Sequence, residues 1–241
     1  MLYNLNIEEV LFIDIETVPQ YPAYHEVPEV FQKLWESKSA YFRNEEQTPA
    51  DVYGRAGIYA EFGRIICISA GFVTQKSGER VYRVKSFYDD DERKLLAGFN
   101  NMLDKFTSNA SRCICAHNGT EFDYPYIARR TLINGLRLPR ILNIAGMKPW
   151  DVKDKLIDTL QLWKFGDYKS YTSLSLLCAA FNIPTPKDDI DGSQVATVYY
   201  QHNDLDRIIR YCEKDTLAVA NLLLRYKGEA IIGMDQMEIV P

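Results

Sequence analysis

No C-x-x-C pair occurs among the five cysteines of this 241-residue chain. Cys67, Cys113, Cys115, Cys178 and Cys212 sit in largely apolar stretches and are odd in number, so they are expected to be buried, reduced thiols and not disulfides or zinc ligands. No apolar run is long enough to cross a bilayer. The opening Met1-Leu2-Tyr3-Asn4-Leu5 lacks the basic region of a signal peptide, so the expected location is the cytoplasm. Internal repeats and low-complexity segments are also lacking. There is no excess of positive charge either: 28 Lys and Arg stand against 33 Asp and Glu, a net charge of −5. That speaks against a binder that coats a phosphate backbone. It leaves room for an enzyme that grips a few nucleotides at one strand end, where bound cations neutralise the phosphates locally.

What is present suits one α/β domain spanning residues 1–241, with 46% hydrophobic and 25% charged residues. Apolar runs and alternation predict strands at 9–15, 64–73, 80–88 and 112–117, with 155–161 also extended. An acidic turn at Asp89 to Asp91 leads into a helix over about 91–106, and a second helix is expected over 122–134. Three more are expected at about 172–182, 191–201 and 204–227. The last carries a stripe of Leu205, Ile208, Ile209, Cys212, Thr216, Val219 and Leu223, with Asn203 as expected N-cap and Gly228 as terminator. Three strands before the first regular helix imply a mixed sheet with an antiparallel member at position two or three. Residues 18–63 are too long for an ordinary connection. Val30, Phe31, Leu34, Trp35 and Phe42 recur there at helical spacing, so this stretch is expected to be an inserted helical and aromatic element whose rings pack on the sheet, with a lid or strand guide as the alternative.

Three acidic segments carry the chemistry. In Asp14-Ile15-Glu16-Thr17, at the end of the first strand, residues two apart share a side, so Asp14 and Glu16 project together. Two desolvated neighbouring carboxylates repel unless a cation sits between them, and Mg²⁺ or Mn²⁺ with oxygen ligands answers that. In His117-Asn118-Gly119-Thr120-Glu121-Phe122-Asp123, a strand meets an Asn-Gly turn and an acid opens the next helix. In Tyr211-Cys212-Glu213-Lys214-Asp215, Tyr211 and Asp215 are four apart and share a helix face beside the apolar stripe. Each segment alone has an ordinary reading: a polar strand end, a helix-start acid favoured by the dipole, a surface ion pair of Asp215 with Arg210 or Lys214.

Taken in order, D-x-E on strand one, N-x-x-x-F-D after a middle strand and Y-x-x-x-D on a late helix resemble the DEDD superfamily of 3′–5′ exonucleases on the ribonuclease-H-like fold, over roughly residues 9–225. One branch of that superfamily has His five residues before the last Asp, where this chain has Arg210; the other has Tyr four before it, here Tyr211. The chain therefore resembles the tyrosine branch. Asp158-Thr159-Leu160, Ser173-Leu174, Ile183-Pro184, Lys187 and Asp191-Gly192-Ser193 are similar to the stand-alone exonucleases related to family B DNA polymerases.

The resemblance implies an α/β, ribonuclease-H-like fold with a mixed central sheet flanked by helices. It implies that Asp14, Glu16, Asp123 and Asp215 hold two divalent ions, Mg²⁺ or Mn²⁺, and that Tyr211 orients the attacking water with Glu16 as a second partner. Such an enzyme releases nucleoside 5′-monophosphates from 3′ ends, with single-stranded DNA favoured and RNA the alternative. An inactive nucleic-acid-binding module is a further alternative, disfavoured because all four carboxylates and Tyr211 are present. Thr17, Asn118 and Phe122 are expected to contact the terminal nucleotide, Phe122 by stacking. His117 is expected to be structural, and Arg129, Arg130 and Lys187 to be solvated surface charges.

Overall fold

The computed structural model describes residues 2–167, 171–184 and 190–241; Lys187 lies outside the described residues. Six strands form one sheet: β1 (Val10–Pro19), β2 (Gly63–Lys76), β3 (Glu79–Phe87), β4 (Cys113–Ala116), β5 (Leu156–Asp158) and β6 (Met237–Ile239), in the order β5-β4-β1-β2-β3-β6. β2 runs antiparallel to both β1 and β3, while β1, β4 and β5 are mutually parallel. The helices are α1 (Glu29–Ser39), α2 (Glu92–Phe106), α3 (Asp123–Ile133), α4 (Pro149–Val152), α5 (Thr159–Lys164), α6 (Leu174–Ala180), α7 (Val195–Thr197) and α8 (Leu205–Tyr226). This is the α/β, mixed-sheet, ribonuclease-H-like architecture expected from the residue pattern. No helix among the described residues is long and apolar enough to cross a membrane, and all five cysteines are buried and free.

Strand alternation divides the core. Leu11, Ile13 and Ile15 of β1 join Leu96, Phe99 and Ile127 of α2 and α3 on one face of the sheet. Val10 and Phe12 join Val219, Leu223 and Leu224 of α8 on the other. By the same parity Asp14 and Glu16 face the α8 side. Every member of the predicted α8 stripe except Leu205 is buried, and Gly228 ends the helix at φ +74°.

Several boundaries differ from the sequence expectation. β1 runs on to Pro19, because Thr17 to Pro19 pair with Ile65 to Gly63 where the chain returns from the insertion. The extended stretch at 155–161 shortens to β5, because the Asp158 carboxylate accepts the Leu160 and Gln161 N–H groups and starts α5 at once. Asp204, not Asn203, caps α8: its side chain accepts the Arg207 N–H, while Asn203 takes a left-handed φ of +51° that ends the π-helical turn Val198–His202. The helix expected at 191–201 is reduced to α7 and that turn. β6 was not anticipated; its three residues are too few for a periodic signal.

The insertion holds α1 as expected, but its aromatics do not pack on the sheet. Trp35, fully buried, centres a separate small core with Tyr53, Phe42, Tyr59 and Phe62, and its indole N–H donates to the Pro49 carbonyl at 2.9 Å. This core is moored to the body by Arg130 of α3, which is buried and structural, contrary to the surface role expected. Its guanidinium pairs with Glu92 of α2 and donates to the Ala60 carbonyl at 2.9 Å. Glu92 also accepts the Ile65 N–H at 2.7 Å. Removing one partner of such a pair strands the other charge. Arg130→Ala is therefore expected to lower unfolding stability by about 3–5 kcal/mol, read as a reduced urea midpoint at unchanged slope.

Candidate active site

The parallel strands β1, β4 and β5 end on one edge of the sheet, the edge where ligands gather in open α/β folds. Asp14 and Glu16 occupy β1 there, in register with Ser69 and Cys67 of β2, and a bulge falls between Glu16 and Thr17. The alternation that aims both carboxylates toward α8 is thus kept up to Glu16 and broken just after it. Glu16 is buried; Asp14 keeps a partial exposure, but its Oδ2 is buried without a hydrogen-bond partner among the described residues.

Asp123 arrives from the next strand. β4 ends at Ala116, Asn118 turns the chain at φ +61°, and Asp123 opens α3, 3% exposed, where its carboxylate accepts the Ile15 N–H of β1. The turn is held by Asp158 at the end of β5, whose two oxygens accept the Asn118 and Thr120 N–H groups at 3.0 Å each. Asp158 had entered the sequence reading only as part of a short similarity; its place at a strand end followed by a helix cap was the available signal. His117 is structural as expected, with Nδ1 2.9 Å from the Thr159 hydroxyl and Nε2 3.0 Å from the Thr172 carbonyl.

The third segment approaches from α8. Cys212 packs under β1 and donates its thiol to the Asp14 carbonyl at 3.4 Å. Tyr211 hydrogen-bonds Asp215; Asp215 acts electrostatically on Asp14 and Glu16, and these act in turn on Tyr211. Asp215 thus faces the other acids. Three chain regions at least 88 residues apart contribute acids that act on Asp14 and Glu16.

Burial raises the Asp14 carboxyl well above the usual carboxylate range, and Glu16, Asp215 and Asp123 add to it by repulsion. Glu16 is raised in the same way by burial and then by Asp215. Burial pushes Asp123 up to about 7, against the hydrogen bonds that it accepts. Tyr211 is raised by burial and by Asp215, which keeps its hydroxyl protonated. A hard divalent cation suits this donor set: it would replace the missing partner of Asp14 Oδ2 and remove the repulsion among the carboxylates. Ligand atoms of Asp14, Glu16 and Cys212 lie within 4.8 Å of one another. Burial raises the Cys212 thiol, so it keeps its proton and is a poor ligand for such an ion.

A cleft of about 710 Å³ opens beside Glu16 and Thr17, with Phe122 on its wall. Phe122 is half-buried and also packs on Tyr126, at 5.3 Å between ring centroids, so stacking surface and helix packing coexist. Thr17 is half-buried and meets the Tyr126 hydroxyl. Asn118 leaves its Oδ1 buried and without a partner among the described residues.

The fold is ribonuclease-H-like. The chain belongs to the family described as a predicted 3′–5′ exonuclease related to the exonuclease domain of PolB, which matches residues 58–233. That span includes Asp123, Tyr211 and Asp215 and begins after Asp14 and Glu16. Among solved structures, the chain is similar to the family B DNA polymerase of the hyperthermophilic archaeon Pyrobaculum calidifontis, with a TM-score of 0.50 and 16% identity over 90% of this chain. It spans 24% of the polymerase's length. Comparison with curated proteins finds no match.

Raised carboxylates bind protons in the folded state that the unfolded chain has already released. Their contribution to stability is present below the ordinary carboxylate range and is lost as pH rises toward 7, the value Asp123 reaches. In a chelating buffer, Asp123→Asn is expected to gain on the wild type between pH 5 and pH 8, by at least roughly 2–4 °C in melting temperature. Adding Mg²⁺ is expected to close the gap by stabilising the wild type. Parallel melting curves at all pH values would contradict the electrostatic account.

Proposed function

We propose that this chain is one exonuclease domain, carrying an insertion, that hydrolyses nucleic acid from the 3′ end and releases nucleoside 5′-monophosphates. Single-stranded DNA is the favoured substrate. The observation that carries this reading is that Asp123 and Asp215, brought in on α3 and α8, both act by their charge on Asp14 and Glu16 at one sheet edge. Membership of a family of predicted 3′–5′ exonucleases supports the same direction of attack. The buried free thiols fit a reducing compartment such as the cytoplasm.

Asp14, Glu16, Asp123 and Asp215 would hold two divalent ions, Mg²⁺ or Mn²⁺. When bound, these supply positive charge to the attacking and leaving oxygens of an in-line displacement. The chain's own groups position the reactants. Tyr211, protonated, offers its O–H to orient the attacking water, and Glu16 accepts from the same water. Asp158 fixes the Asn118 turn and thereby the start of α3, which sets Asp123. Thr17 and Asn118 border the terminal nucleotide, and Phe122 offers it a ring. One stacked base is worth about 1–3 kcal/mol.

The decisive assay uses 5′-labelled single strands of DNA and RNA of identical sequence, with Mg²⁺ or Mn²⁺. A ladder shortening from the 3′ end is expected, faster on DNA and abolished by EDTA. Asp14→Ala and Asp215→Ala are each expected to fall below about 1% of wild-type rate, since the ions supply several kcal/mol. Tyr211→Phe is expected to lower kcat by about 100-fold with little change in KM. Faster turnover of RNA would reassign the substrate. Binding without turnover, unaffected by chelation, would point to the inactive nucleic-acid-binding module.

A further inference from the structure

We infer that the insertion is a fixed wall of the substrate cleft, and that Arg55 on it binds the backbone phosphate next to the scissile one on its 5′ side. This deepens the exonuclease reading and rests on it. The cleft that begins at Glu16 and Thr17 is also lined by Gln47, Asp51, Gly54, Arg55 and Ile58 of the insertion. Its volume, about 710 Å³, falls among sites that hold small organic molecules. It therefore suits a nucleotide or two of single strand.

The wall is tied to the body of the domain by packing and hydrogen bonds. Gly57 rests directly on the end of β1: an added Cβ there would meet the Val18 backbone at 3.1 Å and Pro19 at 3.2 Å. The Tyr126 hydroxyl of α3 donates to the Gly57 carbonyl at 2.7 Å, and Arg130 donates to that of Ala60. The short 3-10 helix Tyr53–Ile58, which carries Arg55, is thus tied to the same α3 that begins with Asp123.

Among the described residues lining this cleft, Arg55 is the one cation. It is exposed, and its guanidinium lies 4.3 Å from the Phe42 ring centroid. Phe42 in turn stacks on Tyr59 at an interplanar angle of 15°. A guanidinium held by one face keeps its N–H edge for a planar or tetrahedral anion, at little further loss of freedom. Among the described residues Arg55 has no ion-pair partner. Asp51, on the same wall, is engaged by the Thr48 N–H and hydroxyl. Ile58, 49% exposed, and Phe122 line the same cleft and offer apolar surface to a base.

Two substrates separate the positions. The p-nitrophenyl ester of thymidine 5′-monophosphate contains the terminal nucleotide and the scissile phosphate only; a single-stranded oligodeoxynucleotide adds the phosphates 5′ to it. For Arg55→Ala, KM for the oligonucleotide is expected to rise about tenfold with kcat within twofold, while hydrolysis of the ester is unchanged. The slope of log KM against log salt concentration is expected to fall by about 0.7, one single-strand phosphate contact. Arg55→Lys is expected to keep most of the salt slope. An oligonucleotide KM unchanged in Arg55→Ala, or an equal loss on both substrates, overturns the assignment. If the wild type hydrolyses neither substrate with Mg²⁺ or Mn²⁺, the exonuclease reading fails. Arg55 is then judged by fluorescence anisotropy with the same oligonucleotide: about tenfold weaker binding by Arg55→Ala sustains its phosphate contact, and equal binding refutes it.

Discussion

Repulsion among desolvated carboxylates is the constraint around which this molecule is arranged. Asp14 and Glu16 stand two residues apart on a strand buried on both faces, and Asp123 and Asp215 add their charge to the same place. Left to itself such a set would be pushed apart or protonated. It stays together because each acid belongs to an element locked elsewhere by apolar packing: β1 at the centre of the sheet, α3 against one face and α8 against the other. The unfavourable charge is confined to one edge and leaves a site whose natural complement is a multivalent cation.

The supporting polar groups follow the same logic. Asp158 spends both oxygens on backbone N–H groups, four of them in all, and so fixes the turn ahead of Asp123 and the start of α5. His117 ties that turn to Thr159 and Thr172. Glu92 and Arg130 bind α2, α3, β2 and the insertion into one frame. A positional error of about 1 Å in a reacting group can cost two orders of magnitude in rate, which is why buried polar links cluster behind the acids.

The insertion is a small aromatic unit with a core of its own that also lines the cleft beside Glu16. Trp35 gathers its own ring of aromatics, while Ala60 near the end of the insertion joins the core between the sheet and α2 and α3. Two hydrogen bonds from α3 then set its distance from the acids. The cleft width is a consequence of that mooring.

Much of this was legible in the residues themselves, because strand and helix periodicities are local. The spacing Asp14-x-Glu16 within a strand guarantees that both point one way, and Tyr211-x-x-x-Asp215 on a helix guarantees a shared face. The stripe of α8 and the mixed sheet followed from such short-range geometry, whereas the grouping of the four acids came from the resemblance of their ordered motifs to a known superfamily. Tertiary structure alone decided the rest. The extension of β1 past its bulge depends on strand β2 returning from 44 or more residues further along the chain. Arg130 became a buried tie, not a surface charge, because Glu92 and the Ala60 carbonyl lie across from it in the fold. Asp158 as anchor and Arg55 as cleft wall are likewise set by contacts between segments distant in the chain, which no local spacing encodes.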